Sequence, residues 1–384
     1  MNSTIGFVQA ERQFHDQAIS ETGLDDFGSD NYLPGLRALA NAYDTEAQFG
    51  EIGISHTRAM IVNCLKGRLY TLEGLRRCPD CVEQVIEKPI FIIGLPRTGT
   101  TTLHRLLAQL SGNQGLEYWL GCYPMPRPPC NQWPYNPRYQ EVVESLQLLR
   151  KLSPDMRAIH EMTPEGIDEC RLLLMHSFAN VTFQANATIP SYEQWLYKAD
   201  MQGAYDQYAS ALKLISSTSP GRRWVLKDSS HLWAIESLLK VFPDACIIQT
   251  HRDPVEVIAS VSSLVYSARK MNEPGISPAT VGQQQLEQWS LVLEKAMSAR
   301  QRNPERFYDV YYENFVADPI TAVDQIYSHF GMQLDFESAD RLRHWMSSHP
   351  QGRHGTHHYK PEDFGLSKDK IRDFYREYQS FFFS

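Results

Sequence analysis

The residues best suited to chemistry begin at Phe91-Ile-Ile-Gly-Leu-Pro-Arg-Thr-Gly-Thr-Thr-Thr-Leu103. An apolar run turns at glycine and reopens into a hydroxyl-rich stretch. The spacing Gly94-x4-Gly99-x-Thr101 is that of a P-loop, whose backbone N–H groups and following helix N-terminus cradle a phosphate. Pro96, Arg97, Thr98, Gly99, Thr100, Thr101 and Thr102 are the residues expected to hold the anion. Where a nucleoside triphosphatase carries its lysine, this chain has Thr100, and the nearest cation is Arg97. The cradle is kept and the group that handles a γ-phosphate is not. A phosphate ester other than ATP is expected.

A second cluster lies at Lys227-Asp-Ser-Ser-His231 and at His251-Arg-Asp-Pro254. Arg252 ends an apolar run, and Asp253 and Pro254 open the next helix as N-cap and first-turn residues. Ser260 follows about two helical turns later. An arginine and a serine at one helix mouth can hold a second phosphate. Taken alone, Arg252 reads equally well as a helix-opening salt bridge.

These residues need elements to position them. Pro89–Gly94, Arg223–Lys227 and Ala245–His251 read as short buried strands, with Phe307–Tyr312 as a fourth. Helical patterns follow at Thr100–Leu110, His231–Val241, Pro254–Lys270 and Ile320–Phe330, and Ala279–Arg302 reads as a long helix. Strands alternating with helices predict an α/β fold, a P-loop-like parallel sheet flanked by helices. Ligands of such sheets bind beyond the carboxyl ends of the strands, where both clusters fall. Residues 1–87 read as a helical N-terminal cap region, and 88–384 as the α/β domain. Cys122–Pro137 holds six prolines in sixteen residues, which excludes a regular element. It reads as a stiff loop, either a surface connection or a wall of a pocket.

Bulk properties narrow the function. The net charge of -8 argues against broad binding to nucleic acid or an anionic membrane. No apolar stretch is long enough for a membrane span, and no signal peptide is recognisable, so a cytoplasmic protein is expected. Seven scattered cysteines do not look like a disulfide framework. Cys78-Pro-Asp-Cys81 lacks the second pair of a structural zinc site and reads as a plain surface turn.

The pair Pro96-Arg-Thr-Gly-Thr-Thr101 and Arg252-x7-Ser260 resembles the sulfotransferases that use 3′-phosphoadenosine-5′-phosphosulfate (PAPS). The resemblance is clear from about Lys88 to Leu264. It is nearest to the bacterial branch with Pro-Arg-x-Gly-Thr-Thr loops, and Lys-Asp and Arg-Asp segments are shared with tyrosylprotein sulfotransferases. It implies that the first loop binds the 5′-phosphosulfate and that Arg252 and Ser260 bind the 3′-phosphate. The implied reaction moves a sulfuryl group to a hydroxyl or amine of a small-molecule acceptor and releases PAP, without a metal. Arg97 and Lys227 would carry positive charge at the reacting group.

The base is less defined. His160 lies sixty-three residues after Arg97, close to the family's histidine spacing. Glu161 and Glu165 are the carboxylate alternatives, and His231 is a further candidate beside Lys227. His104 reads as packing or as a supporting contact. The resemblance also puts Tyr312 beside adenine, and Arg353, His357 and Tyr359 in a loop closing over the donor. Phe178, Phe183, Tyr192 and Trp195 suggest a pocket for an apolar or aromatic alcohol. Homo-oligomer formation stays open. Two other readings fit the same cradle: a nucleotide-dependent phosphotransferase, and a non-catalytic nucleotide-binding module of this fold.

Overall fold

The computed structural model describes residues 5–152, 162–348 and 359–383. Five strands form one parallel sheet: β1 Ile90–Gly94, β2 Asn113–Gln114, β3 Arg223–Lys227, β4 Cys246–His251 and β5 Phe307–Tyr311, in the order β2-β3-β1-β4-β5. The order reverses at β1, which lies between β3 and β4. A crevice at such a reversal is where open parallel sheets take their ligands.

The central strands β3, β1 and β4 are buried along almost their whole length, as their largely apolar runs require, while the edge strand β5 is only half-buried and β2 is two polar residues. Alternation along β1 sends Phe91 and Ile93 into one core and Ile90 and Ile92 into the other. The second core is closed by the helices Thr100–Leu107 and Pro319–His329, through residues such as Leu103, Leu106 and Val323. The first is larger. It takes in the helices Pro254–Asn272 and Pro278–Gln301 and also the N-terminal helices Glu11–Thr22, Leu33–Thr45 and Glu51–Arg77, through Phe14, Leu36 and Leu65. The N-terminal helices thus share a core with the sheet.

Two expectations change. His231 falls in a 3-10 turn, Ser229–Trp233, and the following α-helix starts only at Ile235. Cys78 and Cys81 are joined in a disulfide, where the sequence read an unbridged turn. The 3-10 turn Pro79–Glu83 holds their Cα atoms 5.6 Å apart, within bridging range. Among the described residues no helix is long and apolar enough to cross a membrane.

Candidate active site

The loop after β1 is built around three left-handed residues, Gly94 (φ 142°), Arg97 (φ 71°) and Gly99 (φ 87°). At Gly94 a Cβ would lie 2.3 Å from Thr250 Oγ1, so only glycine lets β1 leave the sheet this close to β4. At Gly99 a Cβ would come within 3.0 Å of the Tyr312 ring. Arg97 has no such freedom, and a non-glycine residue in this region stores strain of about 1–3 kcal/mol. Thr98 braces the turn from inside: its hydroxyl donates to Leu95 O at 2.7 Å and pairs with Thr250 Oγ1 at 2.6 Å. Thr100, Thr101 and Thr102 then open the helix, whose first N–H groups have no intrahelical acceptor.

The end of β4 supplies the second cation. The Arg252 guanidinium donates to Arg97 O at 3.1 Å, lies 4.2 Å over the Tyr312 ring and pairs with Glu256. Its Nε is buried, and none of the described residues accepts from it. Asp253 caps the helix by accepting from Val255 N at 2.9 Å. Arg97 Nε donates to Ser260 Oγ at 3.2 Å, so loop and helix are already in contact. Tyr312 enters from the end of β5.

The end of β3 supplies the third. Lys227 is buried, and its ammonium donates to Thr101 Oγ1 at 3.1 Å and to Glu169 Oε1. Asp228, next in sequence, caps the following turn by accepting from Ser230 N at 2.8 Å. Burial and the nearby Glu169 push the Asp228 carboxyl up. Glu169 sits between two anchored residues. Asp168 N donates to Leu116 O at 2.8 Å, and Cys170 N donates to the Lys227 carbonyl at 3.1 Å. Arg171 Nε flanks its carboxylate at 3.3 Å.

Arg97, Thr101, Glu169, Lys227, Arg252 and Tyr312 line one cavity of about 1400 Å³. Small-ligand sites usually span about 300–1,000 Å³, so there is room for a nucleotide and a second molecule. Much of the remaining lining is apolar, with Met60, Leu149, Leu172, Met175, Val265 and Met271 among it, interspersed with polar side chains such as Asn63, Gln285 and Gln288. One wall is the helix Glu51–Arg77, which presents His56, Ala59, Met60, Asn63 and Lys66 at helical spacing.

The chain belongs to the sulfotransferase family. The family's model matches residues 89–336, well over half of the chain. Sulfotransferase STF1 from Mycobacterium tuberculosis H37Rv is 34% identical, with a TM-score of 0.89, covering 97% of this chain and 100% of that one. Sulfotransferase STF9 from Mycobacterium avium is 26% identical, also with a TM-score of 0.89, covering 100% of this chain and 98% of that one. The omega-hydroxy-beta-dihydromenaquinone-9 sulfotransferase Stf3 of Mycobacterium bovis is 26% identical over 83% of this chain and 82% of its own.

In this sulfotransferase, Pro96, Arg97, Gly99, Thr100, Thr101, Thr102, Lys227, Arg252 and Tyr312 all line the cavity, and Ser260 touches Arg97. His160, Glu161, Arg353 and His357 lie outside the described residues. Tyr359 is half-buried and not among the lining residues.

Several expectations need correction. His231 is fully buried under Phe91, Tyr205 and Tyr208, and its Nδ1 pairs with Tyr205 Oη at 2.7 Å. Burial lowers its pKa to about 3, so it is a neutral core residue and does not face the cavity. Glu165 is exposed, accepts from Tyr139 Oη at 3.1 Å and does not line the cavity. Phe178, Phe183 and Tyr192 pack against each other in the core, away from the cavity wall. Trp195 stacks behind Tyr192. The proline-rich loop contributes Cys122 and Tyr123 to the wall, while its Trp133 packs on Trp119 and Tyr139. His104 is a packing residue: it is buried, bonded to Val225 O at 3.0 Å and lowered to about 4.

Sequence reasoning missed Glu169. It closes the segment that holds Glu161 and Glu165, but only the fold brings it to Lys227. The two cavity thiols are poor nucleophiles, because burial pushes Cys122 up to about 12 and Cys64 higher still.

Proposed function

We propose that the protein transfers the sulfuryl group of PAPS to a hydroxyl of a lipophilic small-molecule acceptor and releases PAP. The observation that carries the reading is the pair of cation sites flanking one glycine turn. Arg97, Lys227 and the helix N-terminus serve one anion, and Arg252 with Ser260 serves another. The nucleotide of PAPS carries phosphate at two positions, and ATP carries one chain. The buried Nε of Arg252, which has no acceptor among the described residues, supports a site for an anion there.

The residues would divide the work as follows. Backbone N–H groups of Gly99 to Thr102 and the Arg97 guanidinium hold the phosphosulfate end. Arg252 and Ser260 hold the 3′-phosphate, and Tyr312 offers a ring beside them. Arg97 cannot give up its proton and acts as a fixed positive charge. Lys227 neutralises charge as it grows on the leaving phosphate oxygen.

The apolar part of the cavity lining supports a lipophilic acceptor. Methionine and aliphatic side chains favour an apolar body, and methionine adapts to irregular shapes. Stf3 is named for omega-hydroxy-beta-dihydromenaquinone-9, which agrees with a hydroxyl on a lipophilic body.

Calorimetric titration tests the donor. PAP should bind in preference to ATP with Mg²⁺, and the reverse order would sink the reading in favour of a phosphotransferase. PAP binding with no sulfate transferred to any alcohol would favour a non-catalytic nucleotide-binding module.

A further inference from the structure

We propose that Glu169 is the proton acceptor of the transfer and that Lys227 keeps it latched until the donor draws the ammonium away. This rests on the sulfotransferase reading. Three observations carry it. Lys227 bridges Thr101 of the anion loop and Glu169, so one ammonium serves both the donor and the base. Glu169 is fixed by its anchored neighbours, not by its own flexible stem. Of the acids lining the cavity, it alone among the described residues is joined by Lys227 to the loop. Glu141 pairs with Arg138 at 2.8 Å, and Asp228 is committed to capping.

Among the described residues, the charged and titratable groups near Glu169 include Lys227 from β3, Arg171 from its own segment, the carboxylates Asp168 and Asp228, and the neutral His104. With both cations beside it, the carboxylate is a poor proton acceptor. An anion entering the loop at Thr101 competes for the Lys227 ammonium. As the ammonium turns to that anion, Glu169 loses one of its two neighbouring cations among the described residues, and its proton affinity rises. The base is thus switched on by the donor.

The step then balances. Glu169 takes the proton of the acceptor hydroxyl. The oxygen's electron pair forms the new bond to sulfur. The bond from sulfur to the 5′-phosphate oxygen breaks, and its pair stays on that oxygen, facing Lys227 and Arg97. The glutamic proton then passes to water.

Glu169→Gln keeps the shape and removes the charge. In calorimetry on the full chain it should bind PAP about threefold to tenfold more tightly than wild type, because Lys227 no longer leaves a carboxylate. Unchanged or weaker affinity overturns the latch. Its release of sulfate from PAPS, with water as acceptor, should fall roughly a hundredfold or more. A rate equal to wild type overturns the base. Glu169→Asp keeps the charge, and it should keep wild-type PAP affinity with partial turnover. It also serves as the control should the glutamine variant misfold. Failure of wild type itself to bind PAP would instead sink the donor reading.

Discussion

Arg252 makes three contacts among the described residues. The Glu256 pair is exposed and worth little, about 0–1 kcal/mol. The ring of Tyr312 and the Arg97 carbonyl hold the guanidinium in place. Arg252→Ala should therefore weaken PAP by roughly 10- to 100-fold, the worth of hydrogen bonds to a charged group. Adenosine-5′-phosphosulfate, which lacks the 3′-phosphate, should lose far less. Equal losses in parallel titrations would contradict the assignment. Gly99→Ala should cost nucleotide binding for another reason: φ at 87° and a ring 3.0 Å from the new Cβ would force the turn open. The same titration checks it, since unchanged affinity would mean that the turn tolerates a side chain.

Single residues were legible where local pattern decides their place. The glycine turn, Arg97, Asp253 and Arg252 could be read because strand end, turn and helix start lie within a few positions. Glu169 and His231 could not. Glu169 meets Lys227 only because the segment after residue 161 is stitched to Leu116 and to the last carbonyl of β3. His231 follows a lysine at a strand end, which suggested chemistry. The intervening 3-10 turn rotates it into the core instead.

At the scale of elements, four strands were visible, three as largely apolar buried runs and β5 as a half-buried segment rich in aromatics. β2 was not. It is two polar residues, Asn113 and Gln114, and Asn113 is satisfied by Leu107 O and Tyr327 Oη at 2.8 Å each. Such a strand has no hydrophobic period to find. The N-terminal helix Glu51–Arg77 was expected as a helix, and its role as a cavity wall comes from the structure. A bulky side chain on that wall should shorten the space for acceptor and spare the donor. Met60→Trp should raise KM for a long-chain alcohol about tenfold or more while PAP affinity stays within about twofold. Loss of PAP binding in that variant would mean that this helix supports the nucleotide instead.

For the whole molecule, burial of neutral histidines sets a pH dependence. His104, His176 and His231 are lowered from 6.5 to about 4, 3 and 3, each chiefly by burial. A histidine with a folded pKa below its unfolded one binds protons more readily when unfolded. Its contribution is fully present above pH 6.5 and is lost as pH falls toward the folded value. Glu193 runs the other way, because burial raises it to about 7 and its contribution is lost as pH rises. A difference measurement separates them. His231→Phe should gain in thermal midpoint relative to wild type as pH falls from about 7 to 4. A constant difference across that window would mean that His231 has the same pKa in the folded and unfolded chains.

The central claim is that a loop with Arg97, Lys227 and Arg252 around it moves sulfate, not phosphate, to a lipophilic hydroxyl. Incubation of the full chain with radiolabelled PAPS and a series of long-chain primary alcohols tests it most directly, with γ-labelled ATP and Mg²⁺ run in parallel. Label from PAPS should pass into an organic-extractable sulfate ester, with PAP released in equal amount. Transfer of label from ATP, with none from PAPS to any alcohol, would contradict it.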